Sequence, residues 1–391
     1  MFVIKAKRGK ERKVKNLYPN LFRDEIVDII GEGDLGLANL FSSEDEFIGV
    51  GIFNRASNKP FRLLSKTPVE INQNYFTHLF KKALKRRAFL LNSSCFRLIN
   101  AESDFLPGVI IDKYDNVFVF QIRHPFWVDY KSAMLDSLYE VFDHIQGVYE
   151  RSDFEASPEE SLQRHSGLLR GEVPDEQIIV ENGIQYKISI PKGQKTGFFM
   201  DQRDNRLFAG ELVERYQLQG MKGLDLFSFT GSFSFVMAKS GMDTLGVDKS
   251  SVDIDLAREN ATINHLEDQC QFICEDVFAL SGLKREYKMI ILDPPSLVKD
   301  KRERHFGKRK FTELVKKGLE FLDTPGIMGL CSCAYHIGIG ELEESVRRGC
   351  EEYGYSGTII DIGIQASDHP WMVQIPESLY LKCLWVYIDK L

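Results

Sequence analysis

Two cysteines one residue apart, Cys331 and Cys333 in GLCSCAYH (329–336), close an apolar run. A thiol in such a place can ligate a metal, pack as a small hydrophobe, or attack a substrate. Spacing removes the first option, because zinc sites use Cys pairs with two to four residues between them, and Cys331 and Cys333 have one. Free Cys is among the most buried residue types, so packing is the default for both. Depth separates them. Cys331 lies within the run and is expected in the core, whereas Cys333 lies at its end, where a crevice would begin. Cys270 and Cys274, on one short run, and Cys95, Cys350 and Cys383, with no acid partner in sequence, are all expected in the core.

Aspartates stand at the ends of other short apolar runs: Asp225 in KGLDLF, Asp248 in DTLGVD, Asp276 in CEDVF and Asp293 in ILDPPS. The turn LDLFSFTGSFS (224–234) contains one glycine, Gly231, whereas a dinucleotide site needs several for close approach to a pyrophosphate. A cofactor with adenosine and no phosphate suits it better, which points to S-adenosylmethionine (SAM). Asp225, Phe227, Thr230 and Gly231 would line the turn, Asp248 would accept from the ribose hydroxyls, and Asp276 from the adenine amino group. A strand-end Asp serves equally well as a helix N-cap. After Asp293, two prolines set a rigid lip. In KTGFFMDQR, Arg203 with Lys195 and Gln202 could hold the methionine carboxylate, since Arg binds carboxylates bidentately; an interdomain salt bridge is the other reading. Phe198 and Phe199 could wall the pocket or pack a joint, and His305 and His336 are candidate proton carriers or solvated side chains.

These groups must be held by strands. From about 187, short apolar runs alternate with helical stretches such as SVDIDLARENATINH and FTELVKKGLEFL. Such alternation implies a mostly parallel, Rossmann-like α/β sheet covered on both faces, with ligands beyond the carboxyl ends of its strands. Residues 1–72 read as short strands with glycine turns, a β domain. Residues 73–186 read as a middle α+β domain, with a helix over Tyr75–Leu91 and a long loop at 152–176. Residues 187–391 form the third domain. Net charge is −7, yet cations cluster at 5–15, 81–87 and 299–310, and a phosphate backbone responds to local patches rather than to the average. Seven scattered Cys, the short apolar run at the start and the lack of a long apolar segment lead us to expect a cytoplasmic protein with no membrane partner.

Together PKGQKTGFFMDQRDNR, LDLFSFTGSFS, ILDPPS, the Ser332–Cys333 pair, SDHP and PESLYLK resemble the RlmI-like large-subunit rRNA cytosine-C5 methyltransferases. FRLINAESDFLPGVIIDKYDN extends the likeness upstream, and the first segment resembles a PUA RNA-binding domain. The resemblance implies a PUA domain, a linking α+β domain and a class I SAM-dependent methyltransferase domain acting on large-subunit ribosomal RNA, with a homodimer left open. It makes Cys333 the nucleophile that adds to carbon 6 of cytosine, and Asp293 the acid that supports N3. The chain departs from the family at Ser296, where Lys often follows DPP, and in the loop 299–311, which has HFGKRKF in place of a tyrosine-containing segment.

Overall fold

The computed structural model describes every residue except Asn92, 155–161, Gln194, Lys195, Lys299, Asp300 and Leu391. It comprises two compact units, Met1–Ile179 with Ile188–Phe198 and Asp368–Ser378, and Val180–Lys187 with Phe199–Ser367 and Leu379–Leu391.

The first unit holds two sheets. One has six strands in the order Asn20–Leu21, Phe61–Ser65, Phe47–Asn54, Leu35–Phe41, Phe2–Ala6 and Ile26–Ile30, antiparallel except where Phe2–Ala6 meets Leu35–Phe41. Glycines let two of its strands lie close. A Cβ at Gly51 would stand 2.3 Å from the Arg62 carbonyl oxygen, and one at Gly49 2.5 Å from that of Ser65. The second sheet runs His165–Gly171, Gly147–Ser152, Val117–Ile122, Val109–Tyr114 and Cys95–Asn100. The helices Gln73–Arg86 and Lys131–Val141 bring Phe76, Phe80, Met134 and Leu138 into one core with Phe96, Ile111, Phe118 and Phe120. Asn72 caps the first helix, its side chain accepting from the Tyr75 N–H. Two expectations need correction here. The helix stops at Arg86 rather than Leu91, and the stretch expected as loop over 152–176 contains the strand His165–Gly171, paired antiparallel to Gly147–Ser152.

In the second unit the strands are β1 Lys222–Leu226, β2 Asp243–Asp248, β3 Cys270–Cys274, β4 Tyr287–Leu292, β5 Leu322–Ser332, β6 Tyr355–Ile364 and β7 Lys382–Lys390. Their order is β3-β2-β1-β4-β5-β7-β6, parallel through β5, with β7 antiparallel to both β5 and β6. The helices are α1 Arg203–Arg215, α2 Ser232–Lys239, α3 Ser251–Ile263, α4 Arg304–Phe321 and α5 Ile339–Tyr353. One face packs Ala209 and Leu212 of α1 and Met237 of α2 against Ile291, Cys331 and Trp385. The other packs Leu314 and Leu319 of α4 and Leu342 and Val346 of α5 against Leu292, Met328, Leu330 and Leu384. Both faces are covered, as parallel strands require, and this is the expected Rossmann-like α/β architecture. The basic stretch after DPPS, expected as loop to 311, is helical from Arg304. Among the described residues no helix is long and apolar enough to cross a membrane.

Within the first unit, a buried ion pair ties the return segment to the core. Arg87 (1% exposed) donates to both oxygens of Asp104 (1%), at 3.1 and 2.7 Å, and to the Asp368 carbonyl at 3.0 Å. The Asp368 carboxylate in turn accepts from the Arg97 N–H at 2.8 Å. Removing one member of a buried pair strands the other charge. Asp104→Ala should therefore destabilise the protein by about 3–5 kcal/mol, read as a lower denaturant midpoint in the first unfolding transition.

Candidate active site at the carboxyl edge of the sheet

The carboxyl ends of β3, β2, β1, β4 and β5 lie side by side, and β7 begins at the same edge, because Lys382 pairs with Ser332. In that order the edge presents Asp276, Asp248, Asp225, Asp293, Cys333 and Lys382. Neighbouring strands are about 4.8 Å apart, so Asp248 and Cys333 stand three spacings, about 14 Å, from each other.

Asp225 is 1% exposed. Its Oδ2 accepts from the Ser234 N–H at 3.0 Å and the Ser234 hydroxyl at 2.8 Å, satisfying the first turn of α2, while Oδ1 is buried without a hydrogen bond. Burial pushes its carboxyl up to about 7; the Ser234 bonds oppose this, and the charges of Asp293 and Asp248 add to it. The three carboxylates therefore share one electrostatic neighbourhood. The turn after β1 alternates through left-handed backbone at Phe227 (φ 69°), Phe229 (φ 49°) and Gly231 (φ 87°). Two aromatic residues in that region represent stored strain, and such strain concentrates at functional sites. Thr230 and Ser228 are buried beside them, with the Ser228 hydroxyl making no hydrogen bond. Gly231 has its own packing reason, since a Cβ there would lie 2.8 Å from both Phe235 and Phe272.

Asp248 accepts from the Phe229 N–H at 3.1 Å on one oxygen and from the Ser250 N–H at 3.0 Å on the other. It is not a helix cap, because Ser250 fills that position for α3 through the Asp253 N–H. Each carboxylate oxygen has a second lone-pair direction, which leaves Asp248 able to take two hydroxyl donors. Asp276 is exposed and accepts from the Phe278 N–H at 2.8 Å. Phe278 is 43% exposed and its ring meets that of Phe227 edge-on at 6.1 Å, which gives this end of the edge an exposed aromatic face.

Of the residues expected at the methionine end, Lys195 lies outside the described residues. Gln202 is 4% exposed, accepts from the Asn205 side chain at 2.6 Å, and keeps a buried Nε2 without a hydrogen bond. Arg203 has a partner within its own unit: its Nε stands 3.3 Å from Glu181, whose other oxygen takes Arg206 at 2.8 Å. A cofactor carboxylate at Arg203 would have to share the guanidinium with Glu181, a partner that spacing alone could not reveal. The ring of Phe199 meets that of Phe229 edge-on at 5.0 Å.

Asp293 is half-buried just past β4, its N–H donating to the Leu226 carbonyl at 3.4 Å. Cys331, within β5, is fully buried with its sulfur 2.8 Å from that of Cys383. Burial pushes its thiol well above the usual value; Cys383 and then Asp293 add to this. Cys333 is half-buried and lies past the end of β5, where the Ser332 hydroxyl accepts from the Ala334 N–H and turns the chain. The strand thus ends before alternation could set Cys333 beside Cys331. Cys95, Cys270, Cys350 and Cys383 are buried as expected, but Cys274 is exposed, because it ends the sheet's edge strand β3. His305 is exposed on α4, and His336 packs against Tyr335 at 4.7 Å. Among the described residues no group of His, Cys, Asp and Glu could hold a metal. Lys382, 6% exposed at the start of β7, was missed as a site residue; a lysine opening the apolar run LKCLWVYI was the available signal.

An orphaned, buried carboxylate oxygen and hydroxyl beside a strained turn fit the ammonium group of SAM. The raised carboxyl of Asp225 has a measurable sign. Between about pH 4 and 7 the folded chain keeps a proton that the unfolded chain has lost, so stability falls as pH rises through that window, by up to about 1.4 kcal/mol per pH unit from this group. Asp225→Asn should flatten the fall of Tm between about pH 4 and 7 in cofactor-free protein and weaken SAM binding at least about tenfold. Scanning calorimetry and titration calorimetry would read the two effects.

Residues 159–353 match the family model for S-adenosylmethionine-dependent methyltransferase, and residues 4–66 that for a PUA-like domain. The chain is 32% identical to the ribosomal RNA large subunit methyltransferase I of Pseudoalteromonas atlantica over 387 residues, 96% of each chain. It is also 32% identical to that of Shewanella amazonensis over 393 residues, 97% of this chain and 98% of the relative. Among solved structures, SMU.776 complexed with SAH has a TM-score of 0.84 at 26% identity, covering 99% of this chain and 100% of that one. Trm5b from Pyrococcus abyssi, with a TM-score of 0.53 at 17% identity over 70% of this chain and 73% of its own, shares the fold alone. Matched by these relatives over nearly its whole length, the chain belongs to the ribosomal RNA large subunit methyltransferase I family and takes S-adenosylmethionine as its cofactor.

Proposed function

We propose that this enzyme methylates carbon 5 of a cytosine in large-subunit ribosomal RNA through a covalent bond between Cys333 and carbon 6. The observation that carries the reading is the position of a half-buried thiol past the end of β5, one strand from Asp293 and at the same edge as Asp225 and Asp248. The names of the relatives support the RNA substrate.

Carbon 5 of cytosine is a weak nucleophile. Cys333 adds as thiolate to carbon 6, forming an S–C bond, and the electron pair of the 5,6 double bond becomes available at carbon 5. Asp293, as the acid, hydrogen-bonds N3 and stabilises the charge delocalised onto the ring. The bound cofactor supplies an electrophilic methyl group. The proton at carbon 5 is then lost to a base, the double bond re-forms and the Cys333 thiolate leaves, so the enzyme is restored. Asp225, Phe227, Thr230, Gly231, Asp248, Asp276 and Gln202 hold the cofactor, with Lys195 and Arg203 assigned to its carboxylate. Cys331 serves the core.

Residues 1–72 and 73–186 present the RNA to the domain at 187–391. Lys7, Arg8 and Arg12 in the first of these, and Lys82 and Lys85 in the second, are exposed and make no ion pair among the described residues. Neighbours such as Lys13, Lys15, Lys81 and Arg87 already face carboxylates. The target base must be unstacked to reach the edge, at least cost from a single-stranded loop.

Cys333→Ala should lower methylation by at least about a thousandfold and abolish trapping by RNA containing 5-fluorocytidine, while Cys331→Ala should keep both within an order of magnitude. Bisulfite mapping of ribosomal RNA and a gel-shifted covalent complex are the readouts. Full methylation by Cys333→Ala would instead indicate direct transfer to another base atom, such as a guanine nitrogen.

A further inference from the structure

Lys382 opens β7 opposite Ser332 of β5 and is 6% exposed. A buried ammonium is unstable unless an anion faces it. The Tyr380 carbonyl accepts from its Nζ at 3.1 Å, but that oxygen carries no net charge. The carboxylate of Glu341, in the first turn of α5, also acts on it. That carboxylate is already committed: it accepts from the Gly338 N–H at 2.9 Å and pairs with Arg304 and Lys308 of α4. Among the described residues the remaining group is Cys333, one residue beyond the cross-strand partner of Lys382, where the chain leaves the strand. Burial lowers the proton affinity of Lys382, and negative charge on Cys333, ahead of that on Glu341, opposes this. The pairing of Ser332 with Lys382 puts Cys333 at the neighbouring position across the two strands, where the charge of one side chain bears on the other.

We propose that Lys382 is a positioning residue whose buried ammonium holds Cys333 as the thiolate in the resting enzyme. The thiol proton goes to solvent, the electron pair stays on Sγ, and the two side chains form a neutral pair. When Sγ bonds to carbon 6 its charge passes to the ring, so Lys382 acts through the sulfur. This role rests on the reading of Cys333 as nucleophile, yet the state of the sulfur can be measured without RNA.

Among the described residues, the charged and titratable groups on the elements that meet at this edge include Lys382 on β7, Glu341 on α5 with Arg304 and Lys308 on α4, Asp293 past β4, and His336 in the loop after Cys333. Only His336 normally changes charge near neutral pH, so it needs a control. The experiment is the rate of iodoacetamide alkylation at Cys333 against pH, read by peptide mass spectrometry in the full chain carrying Cys274→Ser. The half-point should fall below the free-thiol value of about 8.5. Lys382→Met should raise it by at least about one unit, slowing alkylation at pH 7 about tenfold, Lys382→Arg should restore it, and His336→Gln should leave it in place. A half-point at or above the free-thiol value, or coincident profiles for Lys382→Met and its parent, would overturn the proposal. If Lys382→Met does not fold, the profile of the parent decides. A low half-point combined with full methylation by Cys333→Ala would sink the covalent mechanism and leave this pairing standing.

Discussion

Two ionisable side chains of opposite type are buried at one edge of one sheet, and the site is organised around the cost of charging them there. Asp225 sits under β1 with one oxygen unmatched, and Lys382 opens β7 with a neutral carbonyl as its hydrogen-bond partner. Between them the edge changes character. Asp276, Asp248, Asp225 and Asp293 occupy four adjacent strand ends, and Cys333 with Lys382 occupies the next two. A cofactor that carries an ammonium and a sulfonium is drawn to the acidic side. The mechanism proposed for Cys333 needs its sulfur as an anion, which the basic side favours. In that proposed mechanism the transferring methyl group would belong where the two halves meet, beside Asp293, and the charge pattern would order the reactants before any chemistry begins.

Such an edge needs a rigid sheet behind it, and close packing provides one. Gly329 lies in β5 where a Cβ would stand 2.7 Å from the Trp385 ring, and Trp385 itself is fully buried on β7. The pair locks β5 and β7 in register, and the same register puts Ser332 opposite Lys382 and Cys331 opposite Cys383. Packing in the middle of the sheet thereby sets which polar groups meet at its end. The left-handed residues of the turn after β1 depend on comparable support, from the Asp248 bond to Phe229 and the edge-on contact of Phe199.

Much of this was legible from local pattern. Apolar runs of strand length alternating with helical stretches revealed the parallel sheet, because strands buried on both faces must be continuously apolar, and strand-end aspartates stood out against those runs. What escaped had weaker patterns. His165–Gly171 is a half-exposed edge strand with a polar sequence, so it read as loop. The start of α4 is a run of cations whose helical face appears only with Gly307 and Phe311, both buried. The pairing of Glu181 with Arg203 and Arg206, and the register that sets Lys382 opposite Ser332, join segments distant in the chain. Composition and spacing carry no information about such pairs.

The two cysteines that first suggested chemistry differ by two positions and have opposite fates, and desolvation explains why. A thiol sealed in a core holds its proton, since its anion would have neither water nor a cation; Cys331, against Cys383 and within reach of the charge on Asp293, is pushed well up and stays inert. Moving the same group past the last strand hydrogen bond gives it partial access to solvent and brings it to the start of β7, where a buried ammonium lacks a full partner. The reactivity proposed for Cys333 would follow from where the strand ends: one more residue of regular β5 would carry it into the sheet and remove the turn at Ser332.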